Sequence, residues 1–586
     1  MSLGISIYKN RRDTTAGNKG ILKEINGVNG VPVSIAPGFP SLEDQFNQMG
    51  ITHIRLHDTF GIGDIDNYFQ PSRYFNQDQL IPNIPSNLQQ KGKQLIADIA
   101  NKRTIFPYAA EGMKTHDLNT ALKNANYQMT DKYLIRILNN KPELNPGNIE
   151  RQVMFRVGRT LDGGYELPQD FDIYAALVGK LADRYSLNYK KTGLPRKIKY
   201  WEIWNEPDLT FFWNNNNPEK YYEFYSKVAK AIKAVDPSAK VGGAGAANGL
   251  NPGGAYLDGL LAYCQKNNSP IDFLSWHYYG HLTCDPQNII DLGNSIQKTL
   301  GQYGYSNIES ICTEWNSTPF GSVNVFTKVQ SAQNAAYIAS SLICMQHCKV
   351  DKAYYYRGDA SSFGLFNDSD NPKAPQFKNF CTHAAQSFNL FARMFETPFI
   401  ISHDDTLSTG ISILAGENAK GNKLNILASN YKIDKDFSTT NPPKGIALYR
   451  QHYLDTSRTI NQLTDQWGMD EWFGGLNPTT ITTNNAVTQN TNIASQLPVN
   501  DKDLKARARN YTLSDTGLIL SIKDIPSDFK GYKLIAYRIK EGGPLDKMLP
   551  EDVTASVSAN LANNVLTIKD VGLIPSTVAL YTIEFL

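Results

Sequence analysis

The sequence predicts a (β/α)8 barrel followed by an antiparallel β-sandwich. Three observations predict it. Eight strand-like runs alternate with helix-periodic stretches through the first two-thirds of the chain. Helical periodicity stops near residue 395 and alternating apolar runs take over. Polar clusters recur at the ends of several of the early strands, where a barrel gathers its active site.

The strand runs are "EINGVNGVPV" (24–33), "THIRLHD" (52–58), "RQVMFRVG" (151–158), "IKYWEIWNE" (198–206), "AKVGGAGA" (239–246), "DFLSWHYYG" (272–280), "ESICTEWN" (309–316) and "KAYYYRGD" (352–359). Between them, "DIYAALVGKLADRY" (172–185), "PEKYYEFYSKVAKAIKAV" (218–235) and "VQSAQNAAYIASSLICMQHC" (329–348) repeat apolar residues at three and four, the helical spacing. Pro218 fits the first turn of its helix, where a missing N–H costs nothing. The second and third strands lie far apart, and Asn, Gln and Pro fill the interval, so long βα-loop material is expected over 59–150. The catalytic barrel is expected over 22–394.

From residue 395 to 586, "GISILAG", "LNILASNY", "GLILSIKDI", "YKLIAYRI", "NVLTIKDV" and "STVALYTIEFL" read as strands, punctuated by Gly, Asn, Asp and Pro. Residues 433–509, rich in Asn, Thr, Asp and Gln, read as a polar insertion. "FNLFARMFETPFIISHDD" contains no Pro/Ser/Gly linker, so the two parts are expected to pack together.

Composition narrows the function. The chain has 586 residues, 19% of them charged, with a formal net charge of +2. That balance argues against a nucleic-acid or membrane surface as the main partner. The 31 Tyr, 26 Phe and 7 Trp offer flat faces that suit carbohydrate as well as cores. The six cysteines (264, 284, 312, 344, 348, 381) form no C-x-x-C pair and read as buried thiols. No apolar run is long enough for a membrane span. "MSLGISIYKNRRDTT" lacks the apolar core of a signal peptide, although a chain trimmed of its signal would read the same. Cytoplasmic, secreted and periplasmic locations stay open, as does the oligomeric state.

The chemistry lies in the strand ends. The second strand ends in Arg55, His57 and Asp58, the fourth in Asn205 and Glu206, the sixth in His277 and Tyr279, and the seventh in Glu314, Trp315 and Asn316. Two glutamates thus meet across one barrel mouth. Glycoside cleavage needs such a pair, one to protonate the leaving oxygen and one to attack or to activate water. Strand alternation turns only one of Asn205 and Glu206 inward, so the strand must end or bulge there, and Pro207 suits a stop.

"YWEIWNEPDLTFFW", followed by "PEKYYEFYSKVAKAIKAVDPSAKVGGAG", resembles glycoside hydrolase family 39, in the clan of retaining (β/α)8 hydrolases that includes β-xylosidases and α-L-iduronidases. The likeness continues through "IRLHD", "VMFRVG", "DFLSWHYYG", "TEWN" and "SSFGLFN". The resemblance implies Glu206 as acid/base, Glu314 as nucleophile, and sugar-binding roles for Asn205, His277 and Tyr279. It also implies that residues 4–10 add a strand to the sandwich. The polar insertion and the tyrosine-rich "AYYYRGD", where family members often carry a Trp, are departures.

For the remaining residues two readings stand side by side. Arg55 sits beside the nucleophile or in an ordinary buried ion pair. His57 and Asp58 contact sugar hydroxyls or position other groups. Trp315 stacks on a sugar or packs on its neighbours, and Trp213 walls a subsite or packs. Of Tyr355 and Tyr356 only one points inward, and Tyr356 is taken as the substrate contact. His53 and His57 share a strand face without a carboxylate opposite, a weak metal site, so neither metal nor cofactor is expected. The expected partner is an oligosaccharide, a polysaccharide or a small glycoside. The function expected is β-xylosidase-like double displacement. The alternative is a non-catalytic carbohydrate-binding or adhesive protein on a hydrolase scaffold.

Overall fold

The computed structural model describes residues 2–30, 32, 42–56, 117–119, 127–158, 167–210, 212–213, 217–247, 255–279, 285–317, 331–359, 364–366, 381–404, 406, 409–431 and 517–586. The chain begins with β1 (Leu3–Arg12). Eight strands then form the barrel: β2 (Gly27–Asn29), β3 (His53–Leu56), β4 (Gln152–Val157), β5 (Tyr200–Ile203), β6 (Lys240–Ala246), β7 (Phe273–Tyr279), β8 (Glu309–Asn316) and β9 (Lys352–Tyr355). They are parallel, and β2 pairs with both β3 and β9, which closes the ring. Among the described residues one α-helix follows each strand: α1 (Glu43–Gln48), α2 (Gln128–Leu138), α3 (Phe171–Ala182), α4 (Pro218–Val235), α5 (Ala255–Lys266), α6 (Asn288–Gln302), α7 (Ala332–Met345) and α8 (His383–Ala392). All eight sequence-predicted strands are present, and each falls inside its expected run. Most of the 59–150 interval lies outside the described residues.

Local chemistry starts the helices. Asp170 accepts hydrogen bonds from the Asp172 and Ile173 backbone N–H groups ahead of α3. Asn217 accepts from Glu219 ahead of α4, with Pro218 at its first position. Ser331 and Thr382 cap α7 and α8 in the same way. Like α8, which is buried throughout, helix α7 departs from amphipathicity. Its small residues, "AQNAAYIASSLICM", are buried on nearly every side. One side faces α8, where Ser387 donates to the Ala335 carbonyl. The other faces the C-terminal sheet, where Ser429 donates to the Ala336 carbonyl. A helix buried nearly all round belongs in a core.

The C-terminal strands are β10 (Phe399–His403), β11 (Ile411–Glu417), β12 (Lys423–Asn430), β13 (Leu518–Lys523), β14 (Tyr532–Ile539), β15 (Glu551–Asp552), β16 (Ser558–Ala562), β17 (Val565–Asp570) and β18 (Thr577–Phe585). Their order is β15-β14-β18-β12-β11-β10-β1-β13-β17-β16. Strand β10 pairs with β11 on one side and β1 on the other, and so links two layers that enclose one apolar core. The sheet is mostly antiparallel, as expected, with one correction: β1 runs parallel to β13, from Leu3↔Leu518 to Tyr8↔Lys523. The β16–β17 hairpin turns on Asn563 and Asn564, both at positive φ, which the two-residue hairpin demands. The polar stretch 433–509 lies outside the described residues.

The sheet packs directly on the barrel. Leu414, Leu427, Tyr431, Val578 and Leu580 join the barrel's own apolar core. Lys423 pairs with Glu396, and Asn425 donates to the Arg393 carbonyl. Five of the cysteines are described, and all five are buried. Among the described residues no helix is long and apolar enough to cross a membrane.

A buried ion pair ties the two layers of the sandwich. Asp570 on β17 receives the Arg538 guanidinium from β14 and the Tyr581 hydroxyl from β18 at 2.7 Å, and all three are buried. Replacing Asp570 by Ala leaves a buried cation without its partner, so the sheet is expected to lose about 3–5 kcal/mol. Urea unfolding followed by near-UV circular dichroism measures this. A midpoint equal to wild type would show that the pair ties nothing.

Candidate active site

The barrel interior is layered. At the N-terminal end of the strands, Met154, Tyr200, Phe273, Ile311 and Tyr354 form an apolar plug. His53 meets Tyr200 and Tyr354 edge-on, and burial, with Lys352 and Lys199 nearby, holds its pKa well below the usual histidine value. It is a neutral packing residue.

Above the plug lies a charged layer centred on Arg55 of β3, which is fully buried. Its Nε donates to Glu202 Oε2 at 2.5 Å. Its Nη1 donates to Asn29 Oδ1 at 3.0 Å and to Glu314 Oε1 at 2.7 Å. Its Nη2 donates to Asn205 Oδ1 at 2.8 Å. Burial alone would make the guanidinium easier to deprotonate. The two carboxylates outweigh it and push the pKa above the usual arginine value. The planar fork suits this task because it serves several acceptors in one plane.

Two irregularities bring the mouth residues inward. On β8, simple alternation from inward Ile311 would turn Glu314 out. The register with β7 shifts, so that Trp276 faces Cys312 while His277 faces Glu314. That bulge at Thr313 re-phases the strand and turns Glu314 inward. On β5 the chain leaves strand geometry at Trp204 (φ 76°) and again at Glu206 (φ 43°). Asn205 therefore reaches Arg55 while Glu206 reaches His277, and both neighbours serve the same mouth. Non-glycine residues adopt such φ values only where the surroundings hold them. The Glu206 backbone N–H is anchored on the Gly245 carbonyl at 3.0 Å, and Trp204 Nε1 on the Phe212 carbonyl at 3.0 Å.

The two glutamates present oxygens that lie within 4.8 Å of each other and of His277. Their surroundings differ. Glu314 receives Arg55 on Oε1 and the Tyr279 hydroxyl on Oε2 at 2.6 Å, so two donors, one of them cationic, stabilise its negative charge. Among the described residues Glu206 has one close partner, His277 Nδ1 at 2.7 Å. Burial raises the Glu206 pKa above the ordinary carboxyl value. The negative charges of Glu314 and Asp208 act in the same direction, and the contact with His277 acts against them. Burial, reinforced by Glu314, lifts Tyr279 well above the usual phenol range, so it stays a donor.

Arg55, Asn205, Glu206, His277, Tyr279 and Glu314 thus converge as the sequence predicts. Tyr356 follows β9 close enough to influence the titration of Tyr279, while Tyr355 turns outward to Asn334. Two expectations are corrected. Trp213 is fully buried, edge-on to Trp204 and Tyr221 and packed on Phe224, because the turn after β5 folds its ring under α4. Trp315 is also fully buried. It alternates outward from Glu314 and packs on Tyr355 and Tyr337. Neither ring is free to stack on a sugar. His57 and Asp58 lie outside the described residues. Sequence reasoning missed Asn29, Glu202 and Gly245. Glu202 was detectable by parity, two residues after inward Tyr200.

Glu206, His277 and Glu314 are the described group whose donor atoms lie close enough to share a cation. Those atoms are already hydrogen-bonded to one another, to Tyr279 and to cationic Arg55. That is the donor set of an acid–base cluster.

The profile described as Glycosyl hydrolases family 39 matches residues 156–387, which include both glutamates. Residues 156–387 belong to glycoside hydrolase family 39. The chain is 27% identical over 231 residues to a β-xylosidase of Geobacillus stearothermophilus, covering 36% of this chain and 42% of that protein. It is 34% identical over 119 residues to a β-xylosidase of Caldicellulosiruptor saccharolyticus, covering 20% and 22%. The matched segments therefore span less than half of these relatives. Two crystal structures share the whole fold. A glucosidase from Croceicoccus marinus superposes with a TM-score of 0.65 at 19% identity, over 100% of this chain and 99% of its own. A monomeric β-xylosidase from Caulobacter crescentus CB15 superposes with a TM-score of 0.56 at 14% identity, over 99% of each chain.

The barrel depends on Arg55 for its charged layer. Arg55→Ala leaves Glu202 and Glu314 buried without their cation, so the barrel is expected to lose about 3–5 kcal/mol. Arg55→Lys keeps the charge but not the fork and should cost less. Denaturant midpoints of the two variants, measured in parallel, give the order. Equal stability of Ala, Lys and wild type would contradict it.

Proposed function

We propose that the protein is a retaining O-glycosidase, with residues 22–394 as its catalytic unit and the C-terminal sheet, completed by β1, as a support. The observation that carries this reading is the asymmetric pair: two carboxylates within 4.8 Å, one held by two donors and the other raised by burial. That closeness suits direct attack. A water-activating pair stands further apart, at roughly 6.5–9.5 Å.

In the first step Glu314 attacks the anomeric carbon. The bond to the leaving oxygen breaks, and that oxygen takes the proton of Glu206. Arg55 and Tyr279 hold the attacking carboxylate. Forming the glycosyl ester removes the charge of Glu314, so one of the influences that raise Glu206 disappears. The Glu206 carboxylate is then suited to its second task, taking a proton from water as the water oxygen attacks the anomeric carbon and frees Glu314. Asn205 and Tyr279 line the same mouth and suit sugar hydroxyl contacts. The two relatives named above are β-xylosidases, so a β-xyloside is the first substrate to offer, within a panel of p-nitrophenyl glycosides.

Mutation separates the two roles. Glu314→Ala should abolish turnover, and added azide should then give the glycosyl azide of opposite anomeric configuration. Glu206→Ala should still react with dinitrophenyl glycosides, which need little protonation, and azide should speed turnover with configuration retained. NMR of the products decides, and exchanged outcomes would reverse the assignment. Full activity in both variants would end the glycosidase reading.

The same geometry predicts a titration. In wild type the acid form of Glu206 is lost only as pH rises through its elevated pKa, so kcat/KM should fall on that alkaline side. Glu314→Gln removes a neighbouring negative charge, so the Glu206 pKa should drop toward the ordinary carboxyl value. Carboxyl 13C NMR of the two proteins measures this directly. An unchanged or higher value in the variant would show that the carboxylates do not sense each other.

A further inference from the structure

We propose that Asp208 is a positioning residue for the proton transfer: it pins the turn that begins at Glu206 to the end of β6, and it holds a fixed negative charge two residues beyond that carboxyl. The proposal rests on the reading of Glu206 as the acid.

The turn carries it. Glu206 leaves strand geometry at φ 43°, and the chain reverses at once. The Leu209 backbone N–H donates to the Glu206 carbonyl at 3.0 Å, which closes a four-residue turn from Glu206 to Leu209. Pro207 takes the second position, where its preset φ fits, and Asp208 takes the third. Two bonds of opposite direction join this turn to β6. The Glu206 N–H donates to the Gly245 carbonyl at 3.0 Å, and the Asp208 carboxylate accepts from the Ala247 N–H at 3.0 Å. The second bond lies two residues further along both chains than the first. A single bond at Glu206 would leave the turn free to rotate about it, and the Asp208 bond removes that freedom. A glutamate at positive φ persists only where several contacts hold it. The direction in which its carboxyl points, toward His277, depends on that backbone.

The same bond fixes a charge. A backbone N–H donated to a carboxylate favours its ionised form. Burial leads in raising the Glu206 pKa, the His277 contact opposes it, and the negative charges of Glu314 and Asp208 add to the rise. Among the described residues, His277 and Tyr279 on β7 and Glu314 on β8 surround Glu206, with Arg55 of β3 behind Glu314. Tyr222 on α4 and Tyr256 on α5 sense Asp208, and Tyr222 also senses Glu219 and Asp258. Burial lifts both tyrosines above the usual phenol range, so neither adds a charge. The two carboxylates that act on Glu206 then differ in one respect. Glu314 loses its charge when the glycosyl ester forms, whereas Asp208 keeps its own through both steps. Glu314 supplies the part of the rise that switches, and Asp208 the part that stays. That lasting part keeps Glu206 basic enough to take a proton from water in the second step.

Two variants separate the charge from the pin. Asp208→Asn keeps an oxygen that can accept from Ala247 and removes only the charge. Asp208→Ala removes both. In the Asn variant the Glu206 pKa should fall by about half a unit, and the alkaline limb of kcat/KM should move to lower pH with it. Carboxyl 13C titration measures this, with Glu206 assigned by the resonance lost in Glu206→Gln. In the Ala variant kcat/KM on a glycoside with a poor leaving group should fall by about tenfold or more, while a dinitrophenyl glycoside, which needs little protonation, should fall far less. The Asn variant should lose less than the Ala variant on the poor leaving group. An unmoved Glu206 titration in Asp208→Asn overturns the proposal. So does equal loss on both substrates in Asp208→Ala, because that pattern means Asp208 merely supports the fold. Wild-type inactivity on every glycoside would instead sink the glycosidase reading, and the 13C titration would still decide whether Asp208 acts on Glu206.

Discussion

The fully buried guanidinium of Arg55 is the constraint on which the site depends. A cation at the middle of a closed barrel is costly to desolvate and persists only where acceptors surround it. Here they come from three other strands: Asn29 of β2, Glu202 of β5 with Asn205 just beyond it, and Glu314 of β8. Each bond fixes the height and rotation of one strand end relative to the others. The guanidinium thus sets the positions of the very residues that form the mouth. Arginine suits this where lysine would not, since a rigid plane serves four side chains at once.

Strand β6 makes room for this charge. A Cβ at Gly242 would stand 2.3 Å from the Phe273 carbonyl oxygen, and one at Gly245 would enter the space between Glu202 and His277. The strand gives up side-chain packing so that its neighbours on β5 and β7 approach each other. The Gly245 carbonyl in turn holds the Glu206 N–H. A sequence such as "KVGGAGA" looks like a weak strand, yet its lack of side chains is what lets Glu206, His277 and Glu202 share one side of the barrel.

How much of this was legible in the sequence follows from the range of the forces involved. The strands and helices were legible because their patterns are local, and "WNEP" and "TEWN" fell at strand ends as alternation with helices required. The facing of particular side chains was less legible. Counting by twos along β8 turns Glu314 outward, and only the shifted pairing with β7 corrects it. Counting by twos along β5 forbids Asn205 and Glu206 from serving one mouth, and two left-handed residues permit it. Trp213 and Trp315 looked available because they flank the glutamates. Which side of the strand an aromatic packs against depends on Phe224, Tyr337 and Tyr355, residues remote in sequence. The parallel strand β1 was invisible to local reasoning for the same reason, since its partner lies at the far end of the chain.

The layering also explains why such a cluster persists. Replacing buried ion pairs by well-packed apolar side chains is often neutral or stabilising, so the charged layer does not earn its place by stability. The apolar plug beneath it, and the docking of a nearly all-buried α7 between barrel and sheet, supply the packing against which this layer is held. What the charges contribute is a difference between two side chains of the same kind. Glu314 is surrounded by donors, and Glu206 by burial, a negative neighbour and one imidazole. In water the two would titrate alike. Within the barrel one is stabilised as an anion while the other keeps its proton to higher pH. That division of labour comes from the neighbours, and those neighbours are fixed by strands that the buried arginine ties together.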